Sequence, residues 1–149
     1  MRALVWIVED TWKETIEAAA AFLPDDAQVT VVHVSQSGAE AVARGARHGL
    51  LGRKHPATAE QLRSASAQAS AALLADARTL FGRATEVDAR AGRVEQEVVA
   101  ASQEMDLLVA ARDGDRRDPG PRSISPEMRF IIDHASCAVL LVWPESAVP

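Results

Sequence analysis

Five short apolar runs, each parted from the next by a stretch with helical spacing, limit what this chain can fold into. They fall at 3–8, 29–34, 85–91, 107–111 and 137–143. The first, Ala3-Leu4-Val5-Trp6-Ile7-Val8, is almost continuously apolar, which suits a central strand covered on both faces. At 85–91, Glu86, Asp88 and Arg90 alternate with Val87 and Ala89, the pattern of a half-exposed edge strand. Strand and helix alternating five times call for an α/β fold, a parallel five-stranded sheet with helices on both faces. The 149 residues suffice for one domain with a full core and leave no room for a second.

The helical stretches carry their own punctuation. Thr11 and Glu14 have the spacing of a capping box, with Asp10 beside them as part of the cap. Ile16, Ala19, Ala20 and Leu23 follow on one face, and Pro24 stops the helix. Thr58 and Gln61 form a second capping box, after which Leu62, Ala65, Ala69, Leu73, Ala77 and Leu80 keep one face apolar up to Gly82. A helix over 94–105 turns Val94, Val98 and Ala101 inward. Ser125 and Pro126 read as an N-cap followed by proline at the first helical position, with Met128, Ile131, Ile132 and Ala135 facing in. Between 35 and 56 the pattern weakens. Ala39, Val42, Ala43 and Ala46 suit a short helix, and Arg44, Arg47, His48, Arg53, Lys54 and His55 make this the most basic stretch, read as a solvated surface excursion.

Charge and composition exclude several classes of function. A net charge of −5 argues against general affinity for nucleic acid or an anionic membrane. No apolar run approaches the roughly 20 residues of a membrane span. The N-terminal residues show no signal peptide, so a cytoplasmic location is expected. The single cysteine, Cys137, agrees with a reducing compartment and lies in an apolar run, where it reads as a small buried hydrophobe.

Ligands of doubly wound sheets bind beyond the carboxyl ends of the strands, where strand order reverses. That edge collects Glu9 and Asp10, then His33 to Ser35, then 112–125. Phosphate-loop, dinucleotide-binding and nucleophile-elbow signatures are absent, and His33, His48, His55 and His134 lack zinc-site spacing. His33 reads as a satisfied core histidine, and His134 as a helix-end residue. A phosphoacceptor receiver domain needs an aspartate after its third strand and a lysine after its fifth. Here those places hold Arg90-Ala91-Gly92 and Trp143-Pro144.

The last third of the chain resembles the universal stress protein family. Residues 105–111, a glycine-containing loop, and Phe130-Ile131-Ile132-Asp133-His134-Ala135-Ser136-Cys137-Ala138-Val139-Leu140-Leu141-Val142 look like that family's closing strand, loop, helix and strand. The first strand with its acidic residue and Val31-Val32-His33-Val34 agree. The resemblance implies a Rossmann-like strand order 3-2-1-4-5 and a non-catalytic stress-response module with a nucleotide-fold pocket. Its ligand set would be Val8, Glu9, Thr11, Val34, Ala110, Ala111, Arg112, Gly114, Arg122 and Ser125. ATP or AMP is the candidate cofactor, though the residues fix none, and no metal ligand or catalytic residue is assigned.

The chain departs from the family's ATP motif, Gly-x2-Gly-x9-Gly-Ser/Thr. Ala111 stands at the first glycine and Gly114 at the second. Ser125 stands at the third after one extra residue, Pro126 at the hydroxyl position, and Glu9 at the aspartate after the first strand. A Cβ at Ala111 obstructs close approach of phosphate, and Pro126 removes a donor. The loop's Arg112, Arg116, Arg117 and Arg122 are nearly balanced by Asp113, Asp115 and Asp118. The expected pocket is therefore vestigial or takes a small adenine or anionic ligand.

Two other readings compete. One is a slow ATP hydrolase or self-phosphorylating protein with Ser123 or Ser125 as acceptor. The other is a purely structural dimer that binds protein partners through the basic segment Arg44 to His55. If the last strand lies at the sheet edge, as in the resembling family, it pairs with its twin in a homodimer, with Val139, Leu141 and Trp143 near the interface.

Overall fold

In the computed structural model, the described residues are 1–36, 58–112 and 124–144. The segment from Arg44 to His55, and Gly114, Arg122 and Ser123, lie outside them. In chain order the elements are β1 (Arg2–Trp6), α1 (Trp12–Phe22), β2 (Gln28–Gln36), α2 (Ala59–Phe81), β3 (Glu86–Gly92), α3 (Val94–Ser102), β4 (Leu107–Ala111), α4 (Pro126–His134) and β5 (Ala138–Val142). All strand pairs are parallel, and the sheet order is β3-β2-β1-β4-β5.

Side chains of successive strand residues point to opposite faces, so the apolar runs feed two cores. Ala3, Val5, Ile7, Val29, Val31 and Val109 meet Ile16 and Ala19 of α1 and Leu74, Ala77 and Phe81 of α2. Leu4, Trp6, Val32, Val34, Leu108 and Ala110 meet Val98 and Ala101 of α3 and Met128 and Ile131 of α4. Central strands buried on both sides explain why the first run has almost no polar residue.

Several local expectations are corrected. Thr11 begins α1 but makes no side-chain cap bond. Its ψ of 9° is far from the extended conformation that aims an N-cap oxygen at the helix amides, and its buried Oγ1 has no partner among the described residues. Thr15 instead donates its hydroxyl to the Thr11 carbonyl, 2.7 Å away. Ala20 is exposed. The Thr58–Gln61 box does form, and Gly82 ends α2 with a left-handed φ of 72°. The buried stripe of α2 is Ser70, Leu74, Ala77 and Phe81, while Leu62 and Leu80 stay exposed. Helix α3 stops at Ser102, and Glu104 two residues on adopts a left-handed φ of 65°, which no helix continues through. Ile132 is exposed on α4. In β3, Asp88, Arg90 and Gly92 are half-buried and Val87 is exposed, and Arg90 bridges Asp88 at 2.7 Å and Glu97 of α3 at 3.4 Å.

Candidate functional site

The candidate site is a cleft of about 460 Å³ across the carboxyl ends of β1 and β2. Five segments build it. The end of β1 supplies Trp6, Val8 and Glu9, and the end of β2 supplies His33, Val34, Ser35 and Gln36. The middle of α2 adds Ser66, Ala69 and Ser70, and the first turns of α3 and α4 add Val94 and Glu127. In the order β3-β2-β1-β4-β5 the strand order reverses between β1 and β4, so the cleft lies beside that reversal, one strand towards β2.

A hydrogen-bonded chain crosses the cleft floor. Ser70 Oγ lies 2.7 Å from His33 Nδ1, and His33 Nε2 lies 3.2 Å from Glu9 Oε1. An ionised Glu9 only accepts, so Nε2 carries the hydrogen and donates. In the neutral ring Nδ1 is then the acceptor for the Ser70 hydroxyl. His33 is 4% exposed, whereas the Glu9 side chain is 73% exposed. The buried pair thus holds a carboxylate that still faces solvent. The His33 hydrogen bond pulls the Glu9 carboxyl below the usual carboxylate range, against the opposing effect of partial burial.

Serine, histidine and glutamate are the residue types of a hydrolase triad, but the placement differs. Ser70 sits inside a helix and is 2% exposed, so its oxygen has no approach for a substrate carbonyl. A nucleophilic serine instead stands on an exposed turn beside amide donors. The chain serves to fix Glu9. Beside it, Trp6 is 3% exposed and its indole Nε1 has no hydrogen-bond partner among the described residues.

Solved structures share this architecture. A universal stress protein family member from Burkholderia pseudomallei superimposes with a TM-score of 0.63 at 19% identity, covering 95% of this chain and 94% of its own. A universal stress protein in complex with cAMP gives 0.63 at 15% identity, over 95% and 96%. An Arabidopsis thaliana member of that family with AMP bound gives 0.60 at 15% identity, over 98% and 93%. The chain has the universal stress protein fold. No family model and no curated protein matches the sequence.

Within the universal stress protein fold, the sequence-derived ligand set divides. Val8, Glu9 and Val34 line the cleft. Thr11, Ala110, Ala111, Arg112 and Ser125 sit along the same sheet edge but outside that lining. Thr11 is buried. Arg112 donates its amide to the Val142 carbonyl at 2.9 Å and lays its guanidinium over the Trp143 ring, 5.0 Å from the centroid. Ser125 caps α4, its Oγ accepting from the Met128 amide at 3.0 Å.

His33 is buried and bonded, as its strand position implies, yet it also lines the cleft. Nothing in the residue pattern of β2 marks its link to Glu9. Ser66 and Ser70, four apart on α2, interrupt the apolar spacing. Two small hydroxyls in line with Leu74 and Ala77 were the available signal. Glu127 directly follows the Ser125–Pro126 cap, and no local pattern marks it as cleft-lining. Cys137 is half-buried, and burial followed by the Asp106 carboxylate pushes its thiol pKa up, which keeps it protonated and unreactive. Among the described residues no group of histidine, cysteine and carboxylate side chains is suited to a metal. Nor is any described helix long and apolar enough to cross a membrane.

Proposed function

We propose that this chain is a non-catalytic binding module of the stress-response kind, whose cleft takes an adenine compound. The observation that carries this reading is Glu9, a largely exposed carboxylate fixed by a buried His33–Ser70 pair at the mouth of a cleft of about 460 Å³. A carboxylate so held is a directed acceptor for ribose hydroxyls or an exocyclic amine. The AMP and cAMP bound to two proteins of the same fold support the choice of ligand class.

The buried serine of the relay supports binding over hydrolysis. Ser125 is a poor phosphoacceptor while its hydroxyl caps α4. The lone protonated cysteine fits a reducing, cytoplasmic setting.

Calorimetric titration with adenosine, AMP, ADP, ATP and cAMP tests the reading. Saturable binding of at least one, weakened by Glu9→Ala, is expected. No heat with any of them overturns it. Mass spectrometry after incubation with ATP is expected to show no added phosphate.

A second copy of the chain is the proposed partner. Strand β5 ends the sheet with Ala138-Val139-Leu140-Leu141-Val142, and Trp143 beyond it is 58% exposed. An apolar edge strand of this kind is covered by its twin across a two-fold axis.

A further inference from the structure

We propose that the cleft selects the unphosphorylated nucleoside and rejects its phosphates, with Glu127 as the residue that sets this preference. The inference rests on the adenine reading above and narrows it.

A helix N-terminus attracts phosphate through free amides and a partial positive charge. Helix α4 presents its N-terminus to the cleft, because Glu127 at its second position lines the cavity. Several means of holding an anion there are already used or removed. Pro126 has no amide hydrogen. The Met128 amide is given to Ser125 Oγ at 3.0 Å. The Glu127 carboxylate itself lies in the first turn, where it satisfies the helix dipole from within the chain.

The rest of the described lining reinforces the sign. It holds two carboxylates, Glu9 and Glu127, and neither lysine nor arginine. A phosphomonoester brings about two negative charges of its own into that field. A nucleoside brings none. It still offers hydroxyls to Glu9.

The test is calorimetry of the intact chain with adenosine and AMP at low and moderate salt, repeated on Glu127→Gln. Glu17→Gln, an equal charge change on the exposed side of α1, serves as control. Adenosine is expected to bind about tenfold or more tighter than AMP. Added salt is expected to narrow the gap by screening. Glu127→Gln is expected to narrow it by strengthening AMP more than adenosine, and Glu17→Gln to leave the ratio alone. The salt series on the unmodified chain needs no variant to fold. AMP binding as tightly as adenosine, or a ratio that neither salt nor Glu127→Gln moves, overturns the selection while the adenine reading stands. Failure of every adenine compound to bind overturns both.

Discussion

At the residue scale the informative group is Glu9. Its neighbour His33 is buried and partnered on both ring nitrogens, so the carboxylate is oriented by a side chain that solvent cannot reorganise. The hydrogen bond lowers the Glu9 pKa relative to the unfolded chain. A carboxyl with a lowered folded pKa adds stability above its unfolded value, about 4.3 for glutamate, and that contribution is lost as pH falls through the folded value. Glu9 is mostly exposed, so solvent screening keeps the effect small. Urea unfolding of the chain and of Glu9→Gln should therefore show a modest gap at neutral pH. The gap should close in acid below the ordinary glutamate range. A gap that widens on acidification contradicts the His33–Glu9 link.

At the element scale, α2 shows how local signals and tertiary demands divide the work. Thr58 and Gln61 bond reciprocally at its start, and Gly82 closes its end at φ 72° with its amide on the Arg78 carbonyl. Both ends follow from local chemistry and were legible in the sequence. The inward face was not. The apolar spacing through Leu62, Ala69 and Leu73 fits a helix as well as the spacing through Ser70, Leu74, Ala77 and Phe81. Only docking against β2 and β3 selects the second, because it brings Ser70 onto buried His33. At Gly82 a Cβ would meet nothing closer than the Leu80 carbonyl at 3.9 Å, so Gly82→Ala carries conformational strain without a clash. It should cost about 1–2 kcal/mol in chemical denaturation. A neutral result would mean that the cap is not held left-handed in solution.

At the scale of the molecule, the two sheet edges differ in kind. Strand β3 is laced by Asp88, Arg90 and Glu97, charges that discourage pairing with another strand. Strand β5 carries no charge, and Phe22 and Trp143 stand exposed near it along a groove also lined by Leu140 and Val142. Self-association should therefore run through β5. Sedimentation at micromolar concentration is expected to give a dimer, and Trp143→Glu a monomer with an unchanged circular dichroism spectrum. A monomeric parent chain, or a variant that stays dimeric, contradicts this arrangement.

The sequence by itself determined the number and kind of the elements, the doubly wound parallel architecture, the edge position of β3 and the presence of Glu9 at the carboxyl end of β1. Those depend on periodicity, capping residues and apolar runs, which act over a few residues. Tertiary structure alone decided which face of α2 is buried, that Thr11 turns away from its cap, and that His33, Ser70 and Glu127 join Glu9 in one cleft. These contacts join residues 24 to 37 positions apart, or more, and they depend on the angle at which helices dock on the sheet. No local pattern encodes that angle, because it is set by packing of all the elements together.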